Sequence, residues 1–137
     1  MNERAPRPER LVALFVAVLW AALAFAADGV LAILLDRDPV ESAVGPYYAV
    51  VAFLIAGVVV WSLLAGTSGS RNPLWGALGA TAAVYLVFVL VAIGWGLELV
   101  GEQATSPFVL TAALLAGLMV VAMWSGLRRL QRDRPPA

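Results

Sequence analysis

The stretch "AFAADGVLAILLDRDP", residues 24–39, sets a single acid, Asp28, inside a run from Leu11 to Leu35 that is otherwise uncharged. A helix rises 1.5 Å per residue and needs about twenty residues to cross a hydrocarbon core. Leu11–Leu35 is long enough for that, and three further runs, 46–66, 74–97 and 107–127, repeat the pattern with no charge at all. The chain is 62% hydrophobic and only 13% charged, about half the charged share of a soluble domain. These blocks predict an all-α integral membrane protein with four transmembrane helices in an up-down bundle. The bundle is expected to be one domain, residues 11–127, between a short N-terminus at 1–10 and a basic tail at 128–137.

The charges outside the runs are sorted by sign. If the spans alternate, Arg4, Arg7, Arg10, Arg71, Arg128, Arg129, Arg132 and Arg134 fall on one side, which nets +5 with Glu3, Glu9 and Asp133. The other side holds Asp36, Arg37, Asp38, Glu41, Glu98 and Glu102 and nets −4. Arg-rich short loops stay cytoplasmic, so both termini are expected inside. The aromatic residues mark the same boundaries. Trp61, Trp75 and Trp124 lie at the basic end of their spans and Tyr47, Tyr48, Trp95 and Phe108 at the acidic end, as amphipathic rings do at headgroup interfaces. Trp20 alone falls mid-span, where packing is the expected role. The connections read "DRDPVESAVGP", "GTSGSRNP" and "GEQATSP", each carrying Gly, Pro or Asn-Pro punctuation. The acidic loop at Asp36, Asp38 and Glu41 lacks the spacing and the glycine of a calcium-binding EF-hand loop.

Absences narrow the function. With no Cys there are no disulfides, thiolate metal sites or cysteine nucleophiles, and with no His the usual zinc and haem ligands are missing. No metal or cofactor is expected, and nothing points to nucleic acid. Tyr85, Thr81 and Ser62 are hydroxyls without a nearby base in the sequence, so no enzymatic site is expected. The absence of Lys beside nine basic residues, with abundant Ala, Gly and Val, is the usage of GC-rich codons and points to a bacterial plasma membrane.

Helices in lipid associate through small residues that let backbones approach. Span one offers Ala17, Ala21 and Ala24 in line with Asp28; span three offers Gly76, Ala80 and Ala83; span four offers Ala113 with Gly117. These faces predict a compact bundle with spans one and three in contact, and surfaces that suit a membrane-protein partner or a second copy of the chain. "PYYAVVAFLIAGVVVWS" and "PFVLTAALLAGLMVVAMWS" in spans two and four also share their Pro-aromatic start, Ala-Gly middle and Trp-Ser end. Duplicated halves produce such likeness, and so does the small alphabet of apolar helices.

Asp28 admits three readings. Ala24-Phe25-Ala26 is the small-x-small pattern of a signal-peptidase site, and cleavage after Ala26 would leave three spans. Alternatively the acid is tolerated. The fourteen Leu, Ile, Val and Phe residues of span one contribute about −4 to −8 kcal/mol of insertion free energy against about +2.5 to +3.5 for a central Asp. It would then hydrogen-bond within the bundle, where Thr111 lies at a similar depth to serve as partner, or reach the outer interface. The third reading is a working intramembrane acid, with Glu98 as a second acid nearer the outer surface.

A protein of four spans and this length with one acid, Asp28, in its first span resembles the small multidrug resistance transporters in outline. That resemblance implies acid-coupled export by an antiparallel dimer. Such dimers have nearly balanced loop charges, from which the Arg bias here departs. The expected role is a non-enzymatic accessory or assembly subunit of a membrane complex, with proton-coupled transport through Asp28 as the alternative.

Overall fold

A computed structural model describes residues 8–41, 44–45, 47–67 and 72–132. Arg4, Arg7, Pro46, Arg71 with most of its turn, and the end of the tail with Arg134 lie outside the described residues. Among the described residues every regular element is a helix: α1 (Pro8–Leu35), α2 (Tyr47–Thr67), α3 (Pro73–Ile93), α4 (Leu97–Ala104) and α5 (Pro107–Arg132). Four segments, Glu9–Leu35, Tyr47–Gly66, Pro73–Ile93 and Pro107–Leu130, are long and apolar enough to cross a membrane, with mean hydropathies of 2.2 to 2.5. Helix is the expected state for such segments, because in hydrocarbon each amide must find its partner inside the segment itself.

The helix ends follow local chemistry. Asn72 caps α3, its side chain accepting from the Leu74 N–H at 3.0 Å, with Pro73 at the first position. At the end of α1, Asp36 takes a left-handed φ of 48° and the Arg37 amide donates back to Ala32 at 3.2 Å. That conformation usually falls to Gly, and Asp is among the few side chains that tolerate it.

Three boundaries differ from the sequence expectation. α1 starts at Pro8 rather than Leu11, and α5 runs through Arg128 and Arg129 to Arg132. Hydropathy locates where lipid ends, whereas Arg and Glu are good helix formers and carry a helix past that point. The third run does not stay helical to Leu97. α3 stops at Ile93, the Gly94-Trp95-Gly96 turn reverses the chain with Gly96 at φ 136°, and α4 occupies much of the expected loop.

α1 packs on α2, α2 on α3, α3 on α5 and α5 on α1, with a smaller α2–α5 contact and α4 lying on α3. Trp61 of α2 reaches Arg10 of α1 while Phe53 faces Trp20, so α1 and α2 are antiparallel. Tyr48 meets Trp95 while Phe53 meets Phe88, which fixes the same sense for α2 and α3. α1 and α3 are not a principal packing pair, contrary to the sequence expectation. α3 packs on α5 instead, with Ala77 and Thr81 close to Gly117.

The core is built from alanine. Ala13 and Ala24 of α1, Ala52 and Ala56 of α2, Ala80 and Ala92 of α3, and Ala112 and Ala116 of α5 are fully buried, and Trp20, Tyr48 and Phe88 supply the bulk. The exterior is apolar instead: Ile33 is 83% exposed, Trp75 76% and Phe15 74%. A soluble monomer rarely exposes so much contiguous apolar surface; a bilayer covers it.

Gly117 sets the α3–α5 distance. A Cβ there would overlap the Thr81 hydroxyl and lie 3.1 Å from the Ala77 carbonyl oxygen. Gly117→Ala is therefore expected to lower stability by about 1–3 kcal/mol, as overpacking does. Thermal unfolding in detergent checks this, and Thr81→Ala should recover part of the loss.

Candidate functional site

Asp28 continues the buried face of α1. Ala13, Ala17, Trp20, Ala24 and Asp28 are all buried, at steps of three and four residues that keep them on one side of the helix. Asp28 is only 8% exposed, and its Oδ1 has no hydrogen-bond partner. Its depth follows from the next tie inward. Trp20 donates from Nε1 to the Ala112 carbonyl of α5 at 2.9 Å. Eight residues outward, about 12 Å at 1.5 Å per residue, Asp28 comes level with the end of α4 and the link to α5.

That level is polar. Gln103 and Ser106 are buried there, and Gln103 Nε2 also has no partner. Tyr85 donates to the Ala104 carbonyl at 2.8 Å and Tyr48 to the Phe88 carbonyl at 2.9 Å. Above it, the Glu41 amide donates to Glu102 Oε1 at 2.6 Å and Arg37 pairs with Glu41. The loop after α1 is thereby tied to α4. Glu41 and Glu102 hold Arg37 above its ordinary pKa by hydrogen bonding and by charge.

Thr111 donates to the Pro107 carbonyl of its own helix at 2.8 Å, so its hydroxyl is engaged there rather than on Asp28. Glu98 is exposed in the first turn of α4. Ala17, Ala24, Ala80, Ala113 and Gly117 are buried, and Ala21, Gly76 and Ala83 are half-buried. Ser62 donates to Val58, four residues back on its own helix. Among the described residues no group of three His, Cys, Asp or Glu side chains is placed to hold a metal ion. Hydropathy alone does not mark Gln103, which follows an apolar run in a segment expected to be a connection; its position four residues after Leu99 on α4 is the signal that locates it.

A second feature lies between α1 and α2 on the outside of the molecule. Ala17 and Ala21 face Phe53, Gly57 and Trp61 across a groove of about 250 Å³. A Cβ at Gly57 would meet nothing within 4 Å.

Four long apolar helices with an apolar exterior define a membrane-embedded helical protein. The chain belongs to a family of unknown function (DUF6121), which it matches over residues 1–136. No curated protein and no solved structure matched it.

An unpartnered buried acceptor costs about 1–3 kcal/mol. Replacing Asp28 by Leu, which is close to it in shape, should therefore raise stability in detergent by a like amount. A drop in the unfolding midpoint would show instead that both carboxyl oxygens are paired in the membrane.

Proposed function

We propose that this chain is a multi-pass protein of a bacterial plasma membrane that acts without catalysis, as an accessory or assembly subunit of a larger membrane complex. In this reading α1, α2, α3 and α5 cross the bilayer and both termini are cytoplasmic. The observation that carries it is the groove between α1 and α2. Half-buried Ala21 and Gly57 line it, with buried Ala17 beneath, and a Cβ at Gly57 would meet nothing within 4 Å among the described residues. Small residues at i and i+4 are what allow a neighbouring membrane helix to approach closely. The expected partner is therefore a helix of another membrane protein or of a second copy.

Gly57→Leu should fill the groove, because the Cβ of the new side chain would meet nothing within 4 Å. Native mass spectrometry from nanodiscs is expected to show the wild-type chain in an assembly well above its own 14.4 kDa. The variant should release it. A wild-type chain that is monomeric when extracted in native lipid would end the subunit reading.

Orientation is tested separately, and the lack of native Cys makes the test clean. With Asp38→Cys, an impermeant maleimide added to intact cells should label the protein. With Arg132→Cys, labelling should require permeabilised cells. The opposite pattern would invert the topology.

The buried, unpartnered Oδ1 of Asp28 supports the second reading, proton-coupled transport, in which Glu98 is an outer acid. Any substrate uptake or export conferred by the protein should then be lost in Asp28→Asn. Transport that survives that substitution would remove this reading.

A further inference from the structure

The end of α5 is more than a charged flank. Because the helix continues to Arg132, its last three turns hold Trp124, Ser125, Arg128, Arg129 and Arg132 in fixed register, and these residues line an open cavity of about 600 Å³. The Arg128 guanidinium lies over the Trp124 ring, 4.1 Å from its centre. Stacking of this kind holds a planar guanidinium in place. Arg129 and Arg132 are exposed in the last turn, beside the Arg128–Trp124 stack.

The depth of this cluster identifies its ligand. Trp124 is seventeen residues from Pro107, about 26 Å along the helix, close to the thickness of a hydrocarbon core of roughly 30 Å. Trp124 therefore stands at the interface, and Arg128, Arg129 and Arg132 stand about 6–12 Å beyond it, at the level of lipid phosphates. Forked guanidinium donors match the oxygens of a phosphate in pairs, which an ammonium does not. The geometry points to a binding site for the phosphate of an anionic phospholipid, formed by Arg128, Arg129 and Arg132 around Trp124. The inference rests on α5 crossing the bilayer, but on neither the direction in which it crosses nor a partner subunit.

The probe is the purified full chain in nanodiscs of equimolar phosphatidylglycerol and phosphatidylcholine, with retained lipid counted by native mass spectrometry. The wild-type chain is expected to keep phosphatidylglycerol preferentially. The triple variant Arg128→Gln, Arg129→Gln, Arg132→Gln should lose that preference, with affinity falling roughly a hundredfold for three charges. The triple Lys variant keeps the charge but loses the fork and the guanidinium stack, and it should retain clearly less phosphatidylglycerol than the wild type.

Equal retention of the two lipids by the wild type would overturn the site. So would a Gln variant that keeps the preference. A Lys variant indistinguishable from wild type would reduce the site to diffuse charge and overturn it as well. Displacement of the lipid by millimolar inorganic phosphate would reassign the cluster to a soluble anion. Resistance of the wild-type chain to alkaline carbonate extraction from membranes reports on membrane embedding by itself, so failure of that reading is distinguishable from failure of the site.

Discussion

Hydrocarbon offers no hydrogen-bonding partners, and most features of this molecule follow from that constraint. Helix satisfies the backbone, but side chains with polar tips still need acceptors, and few polar side chains are available. The aromatic residues solve this with main-chain carbonyls, whose second lone pair is free within a helix. Trp20 donates to Ala112, Tyr48 to Phe88, Tyr85 to Ala104 and Trp61 to Arg10. Each of these bonds joins two different helices, and together they link α1 to α5, α2 to α3, α3 to α4 and α2 to α1. The bulk of each ring fills space while its tip fastens a neighbour.

Such ties require close backbones, and close backbones require small residues. Ala52, Ala56, Ala80, Ala112 and Ala116 are fully buried, and Gly117 lets α5 approach Ala77 and Thr81. In water a core this poor in large side chains would gain little from burial, since the gain scales with apolar area removed from solvent. In lipid that term is absent between helices, and packing and hydrogen bonds decide instead. The large residues Ile33, Phe15 and Trp75 face outward, the reverse of a soluble bundle.

The four long apolar segments were legible in the sequence because length and hydropathy are sufficient to mark them. The alanine face of α1 carrying Asp28 was legible from its three-and-four spacing. α4 was not, because "LELVGEQA" mixes apolar and polar residues and follows directly on an apolar run. Only the Gly94-Trp95-Gly96 turn announces it. Which helices become neighbours was not legible either, since alanine stripes occur on several helices and fit more than one arrangement. Thr111 illustrates the limit of depth as a guide: it lies at a plausible level, yet its hydroxyl bonds the carbonyl four residues back, an option always open to a helical Thr. Carbonyl acceptors such as Ala112 leave no mark in the sequence at all.

The two ends of the molecule are chemically opposite. Arg10, Arg128, Arg129 and Arg132 outnumber Glu9 at one, and Asp36, Asp38, Glu41, Glu98 and Glu102 outnumber Arg37 at the other. Four apolar helices run between them, and amide hydrogen exchange of the full chain in lipid nanodiscs tests most directly whether they cross the bilayer. Protection is expected throughout Glu9–Leu35, Tyr47–Gly66, Pro73–Ile93 and Pro107–Leu130. Asp38 and Val40, between α1 and α2, should exchange faster than the four segments. Rapid exchange along the length of any one of the four segments would show that it does not cross the bilayer, and would contradict the account.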